Sequence, residues 1–192
     1  MAGILDQPRA PTRRRLDVDA YYRMAEAGIL ADSDHVELID GDIIDMVPTG
    51  SAHAGNTNRL VRNFARAAAD GSVLLTVQTP LRLDGYNEPQ PDVMLFRPRP
   101  DDYKARHPGA ADVLLLVEVS DSSLAYDRDT KLALYARFGV PEVWIVDIPG
   151  GALEVYRAPE DGAYAHRERL TAGRLGPTLV PELAIDVAAL LA

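Results

Sequence analysis

The chain has 192 residues, 47% hydrophobic and 26% charged, with a formal net charge of −9 and a pI near 4.9. That length suffices for one domain with a real core, and the acid excess gives no support to polyanion binding by overall charge. There is no cysteine, which excludes disulfides, thiolate zinc sites and cysteine nucleophiles and fits a reducing cytoplasm.

Residues 1–15 are rich in arginine and proline and lack helical periodicity, which predicts a flexible or loosely docked arm ahead of a single domain over 16–192. No apolar h-region of signal-peptide type stands in Met1 to Arg15 and no apolar run reaches the ~18 residues of a membrane span, so a cytoplasmic, membrane-free protein is expected. Asp17 to Ala27 reads as a helix, with Asp17 as N-cap and Gly28 as stop. Val36 to Met46 is a hairpin signal, with Asp40-Gly41 between two aliphatic runs and Glu37 on the first arm. After Pro48-Thr49-Gly50 a helix is predicted from Ser51 or His53 to about Asp70. Leu60, Phe64 and Ala67 or Ala68 make its apolar face, and arginines 59, 62 and 66 lie elsewhere on it.

Strands follow at Val73–Gln78 and Pro91–Phe96, with Leu81–Leu83 a possible extension of the sheet. Residues 97–111 hold three prolines among charges and read as an exposed loop. Arg97, Arg99, Lys104 and Arg106 in it, like Arg13 to Arg15, are most simply solvated surface charge. Leu114 to Ser120 is the pattern of a strand buried on both faces. A helix from Asp127 to Phe138, a strand at Pro141–Asp147, an antiparallel pair at 153–157 and 164–170, and a short apolar segment at Val187–Leu191 complete the chain. This order predicts an α/β or α+β fold, a mixed sheet flanked by helices.

Two of the hydrophobic strands each carry one acid, Asp92 and Glu118. A carboxylate there is costly unless a cation, hydrogen bond or proton compensates it. Hard divalent cations take oxygen ligands, and Asp92 and Glu118 with the Val119 carbonyl, and Glu37 as a further candidate, could hold one. Lys131 lies one turn into the next helix, from where it could reach back over the strand end. Its competing reading is a salt bridge to Asp127 on its own helix. Asp92 could instead cap a turn, Glu118 could be a salt-bridged core acid, and Glu37 could face solvent. For His53 a capping or core role is the simpler reading, and for Tyr135 and Trp144 a core role. Asp147 is expected to cap the Pro149-Gly150 turn. Ser120 and Ser122 lack a Gly-x-Ser-x-Gly elbow, which leaves them turn and cap roles.

Several stretches together carry a resemblance: Val36-Glu37-Leu38-Ile39-Asp40-Gly41, His53, Pro91-Asp92, Glu118-Val119-Ser120, Asp129-Thr130-Lys131 with Tyr135, Gly139-Val140, Val143 to Asp147 and Val155-Tyr156. From about Leu16 to the C-terminus the chain resembles the Uma-two family of endonuclease-like proteins, in the PD-(D/E)XK restriction-endonuclease-like superfamily. The resemblance implies a restriction-endonuclease-like core, a central mixed sheet flanked by helices, with an added N-terminal helix and hairpin. It implies Asp92 and Glu118 as the sheet acids at a magnesium site (manganese a possible substitute), Glu37 as the upstream acid, and DNA as substrate, with a homodimer serving two strands. The superfamily lysine would stand two residues after the second acid, where this chain has Ser120. The family moves it to the next helix, at Lys131. Asp92, Glu118, Lys131 and Glu37 are then the expected catalytic set of a magnesium-dependent endonuclease. A nuclease-fold binding or scaffold module without turnover is the alternative, and hydrolysis of a small phosphate ester a weaker third.

Overall fold

The computed structural model describes residues 12–31 and 33–192. The first eleven residues of the expected arm lie outside the described residues. Its last residues are docked: Arg15 Nε donates to the Asp40 carbonyl at 2.8 Å, and its guanidinium lies 4.3 Å from the centre of the Tyr86 ring.

Helix α1 (Val18–Glu26) is capped by the Asp17 side chain, which accepts from Ala20 N. Strands β1 (Val36–Ile39) and β2 (Asp42–Asp45) form a separate two-stranded hairpin. Asp40 and Gly41 have φ of 49° and 78°, the left-handed pair that a type I′ turn requires. Helix α2 (Ser51–Ala67) follows. The central sheet has six strands in the order β3 (Leu74–Val77), β4 (Val93–Phe96), β5 (Val113–Ser120), β6 (Glu142–Asp147), β7 (Ala152–Glu160) and β8 (Ala163–Leu170). All neighbours are antiparallel except β5 and β6, which are parallel. A parallel pair needs a crossover, and a helical one joins them: α3 (Leu124–Tyr126), a wide π turn (Asp127–Lys131) and α4 (Leu132–Arg137). Strands β9 (Arg174–Leu175) and β10 (Ile185–Asp186) pair ahead of α5 (Val187–Leu191).

The expected mixed sheet with flanking helices is thus the observed one. Leu81–Leu83 does not extend it. Leu81 N bonds the Pro89 carbonyl and Leu83 N the Asn87 carbonyl, which leaves a folded-back loop with Leu81 fully buried.

Hydrophobic layers cover both faces of the sheet. On one, Leu60 and Phe64 of α2 and Val187 and Leu190 of α5 pack on Val117, Val119, Trp144 and Val155. On the other, Tyr135 and Val140 pack on Met94, Leu116, Ile145 and Tyr156. Glu154 is buried on β7 and takes two hydrogen bonds from Arg128, at 3.0 and 2.7 Å, one from Tyr156 at 2.6 Å and one from Arg167 at 3.0 Å. Burial alone would raise its carboxyl; these donors outweigh burial and hold it below its ordinary value. Arg128 also reaches Asp147 at 3.1 Å, so the π turn is clamped to the ends of β6 and β7. Asp147 caps its turn as expected, accepting from Gly150 N at 2.8 Å.

Candidate active site

The pairing register brings the two sheet acids together. Val93 pairs with Val117 and Met94 with Leu116, so one step further sets Asp92 opposite Glu118 on the same face. The contacts agree: Asp92 N donates to Glu118 Oε2 at 3.4 Å, and Val119 N donates to Asp92 Oδ2 at 2.8 Å. Asp92 and Glu118 are 7% and 3% exposed. Like charges directly opposed on neighbouring strands are destabilising, and burial sharpens the cost.

Glu37 arrives from the separate hairpin. Leu38 docks β1 by a mutual backbone pair with Glu88, and alternation then turns Glu37 the other way, into the site. Gln90 N donates to Glu37 Oε2 at 3.2 Å.

Lys131 joins the acids. Its Nζ lies 3.0 Å from Glu37 Oε2 and 3.3 Å from Glu118 Oε1, and the residue is 6% exposed. Its ion pairs are these, and Asp127 has other partners: its Oδ2 accepts from Ser120 Oγ at 2.7 Å and Ser123 Oγ at 2.6 Å. The π turn explains the alignment. Asp127, Lys131 and Tyr135 are four residues apart, and a regular α-helix advances about 100° per residue, so each step would drift by about 40°. The wider turn, closed by the Leu132 N–H on the Asp127 carbonyl, offsets that drift and sets all three toward β5. Such turns recur at functional sites.

Tyr135 and His53 do more than the core and capping roles expected of them. Tyr135 is buried, and its hydroxyl donates to Glu118 Oε1 at 2.6 Å. His53 Nε2 lies 3.0 Å from Asp92 Oδ2; facing a carboxylate oxygen, that nitrogen carries the proton. The hydrogen bond it donates to Asp92 raises the imidazole above its ordinary 6.5, against the lowering effect of burial. The i, i+4 spacing of Lys131 and Tyr135 was the available signal for the tyrosine. His53 had none beyond its position at the start of α2. Trp144 is core as expected, tilted against Phe64 with ring centres 6.1 Å apart.

One cation faces several acids. Burial would lower Lys131, but Glu118 and Glu37 outweigh it and hold the ammonium above its ordinary range. Glu118 is the acid that gives way: burial, with Asp127 and Asp92 adding to it against Lys131, pushes its carboxyl up to about 8. Between the ordinary 4.5 and about 8 the folded chain therefore binds more protons here than the unfolded chain. The contribution of this group to stability is lost as pH rises through that window. In metal-free buffer the thermal midpoint should fall by several degrees across it, and Glu118→Gln should flatten the profile. Parallel slopes in the two chains would contradict this.

The donor set suits a hard divalent cation: two opposed carboxylates whose repulsion a cation would relieve. Among the described residues Asp92 Oδ1 takes no protein hydrogen bond, and no three His, Asp or Glu side chains stand in ready-made ligand geometry. Glu37, Asp92, Glu118, Lys131, His53 and Tyr126 share the wall of one cavity of about 390 Å³. The Tyr126 hydroxyl is buried without a hydrogen-bond partner among the described residues, and burial, reinforced by Glu37, pushes it up to about 12.

A mixed sheet with acids opposed on adjacent central strands and a helical crossover over them defines the class: a nuclease-like fold. A crystal structure described as that of a putative nuclease belonging to DUF820 from Anabaena variabilis superposes with a TM-score of 0.69 at 16% identity, over 92% of this chain and 97% of that one. The family model described as "Putative restriction endonuclease", Uma2, matches residues 18–188. The chain belongs to that family. No curated protein sequence matches it. Among the described residues no helix is long and apolar enough to cross a membrane.

Proposed function

We infer that the chain is a divalent-metal-dependent endonuclease that hydrolyses DNA phosphodiester bonds. The observation that carries this reading is the cross-strand opposition of Asp92 and Glu118 with Lys131 Nζ 3.3 Å from the second acid. Asp92 and Glu118 would hold magnesium or manganese, with the Val119 carbonyl as a further donor. Such an ion, when bound, supplies Lewis-acid polarisation and water activation. Glu37 and Glu118 keep Lys131 charged and fixed, so its ammonium is preorganised for the charge that develops on the phosphoryl oxygens. Tyr135 orients Glu118 and His53 orients Asp92 through their hydrogen bonds. Cutting both strands of a duplex calls for two sites, which a homodimer would supply.

The engagement of Lys131 by two carboxylates also favours a second reading, a nuclease-fold binding module without turnover. Incubating supercoiled DNA with the native chain separates them. Nicking in magnesium or manganese that stops on chelation is the expected result. Calorimetric metal binding with intact DNA under every divalent ion tried would establish the second reading.

A further inference from the structure

The acid excess of the chain conceals one segment of opposite character. Helix α2 carries Arg59, Arg62 and Arg66 with His53 and contains no aspartate or glutamate. The other arginines of the fold are mostly neutralised: Arg82, Arg99, Arg106, Arg128, Arg157 and Arg167 each sit on a carboxylate. Arg62 and Arg66 are exposed and make no ion pair among the described residues. Arg59 is spent differently, donating to the Leu190 carbonyl at 3.1 Å and tying α2 to α5.

The orientation of α2 matters as much as its charge. Leu60 and Phe64 bury one side in the core. The opposite side presents Gly55, Asn58, Arg62, Ala65 and Arg66 to solvent. A Cβ on Gly55 would meet nothing within 4 Å, so this face is open. The first turn of the same helix, with Gly50 and His53, lines the cavity that holds Asp92 and Glu118. One acid-free face therefore runs outward from the candidate catalytic cavity.

We propose that the outer face of α2 is the surface along which a DNA duplex leaves the active site, with Arg62 and Arg66 on its phosphates. This rests on the nuclease reading for the identity of the substrate and deepens it by naming where the backbone is gripped. Arginine suits phosphate contacts because its planar fork of donors matches phosphate oxygens. Asn58 on the same face adds neutral donors of the kind that fix register. At 1.5 Å per residue Arg62 lies about 16 Å and Arg66 about 22 Å along the axis from Ser51. With about 3.4 Å per nucleotide of a duplex strand, the contacts fall roughly five to seven base pairs from the scissile position.

The test is equilibrium binding of a labelled duplex of about twenty base pairs, followed by anisotropy across a salt titration. The buffer contains chelator, because an arginine–phosphate contact needs no metal and nothing is then cut. Arg62→Ala/Arg66→Ala should reduce the slope of log affinity against log salt by about two, and weaken binding roughly tenfold near physiological salt. The charge-matched control is Arg97→Ala/Lys104→Ala, two exposed cations in the 97–107 loop without ion pairs among the described residues; it should change the slope much less. Thermal midpoints of both variants report that the fold is kept. Equal slopes in native and α2 variant chains, an equal effect of the control, or no duplex binding by the native chain would each overturn the proposal. Nicking is scored separately. Nicking with an unaltered slope removes the α2 surface and leaves the nuclease reading, whereas a lost slope without nicking in any divalent ion keeps the surface and removes hydrolysis.

Discussion

Asp92→Asn is expected to reduce magnesium-dependent nicking of supercoiled DNA by about a thousandfold, with a thermal midpoint in metal-free buffer close to that of the native chain. The amide preserves the size of the side chain and an oxygen for the Val119 N–H, which donates to Asp92 at 2.8 Å in the native protein. It removes a negative charge that helps to push Glu118 up, and that gain offsets the weakened hydrogen bond from His53. Metal-ion polarisation of a phosphoryl oxygen is worth several kcal/mol, and each 1.36 kcal/mol is tenfold in rate, so three decades are a moderate expectation. Initial rates of nicking in magnesium and melting curves of the same preparations in metal-free buffer decide it. Undiminished nicking would remove Asp92 from the site, and lost nicking with a collapsed midpoint would make its role structural.

Lys131→Met should destabilise the fold by about 3–5 kcal/mol near neutral pH, the usual cost of removing one partner from a buried ion pair. Methionine fills much of the volume, so the loss is electrostatic. Glu37, almost fully buried, would be left without its cation, and Glu118 would lose the charge that counters the effect of its burial. The penalty should shrink as pH falls through about 8, because Glu118 can then escape it by taking up a proton. Titration of the ammonium itself removes nothing below its ordinary 10.5, so the change at lower pH belongs to Glu118. Urea unfolding at two pH values reads both effects. A midpoint insensitive to the substitution would mean that the ammonium is not the neutralising partner.

Local chemistry made much of this fold readable before any coordinates. Asp17 caps α1, Asp40-Gly41 turns the first hairpin, and the valine and leucine run at β5 is buried on both faces. Each depends on residues close in sequence. The convergence of Asp92 and Glu118 was legible because an acid inside a hydrophobic strand is anomalous wherever it occurs. Details set by long-range register were not. Leu81–Leu83 has strand-like composition but folds back, since Pro89 and Asn87 supply its hydrogen bonds. The reach of Lys131 to Glu118 depends on a π turn that no periodicity of Asp127 to Phe138 announces. Tyr135 looked like core because its ring is core; only its hydroxyl belongs to the site.

That widened turn has a consequence for what the chain can tolerate. The loop over 97–112 can lose or gain a residue without moving either sheet acid, since β4 and β5 are held by their own ladder. The segment from Asp121 to Tyr135 has no such slack. A one-residue deletion after that turn, in the regular helix between Lys131 and Tyr135, would rotate Tyr135 by about 100° about the axis and carry its hydroxyl away from Glu118. Length variation in this family should therefore accumulate in the prolyl loop and be purged from the crossover.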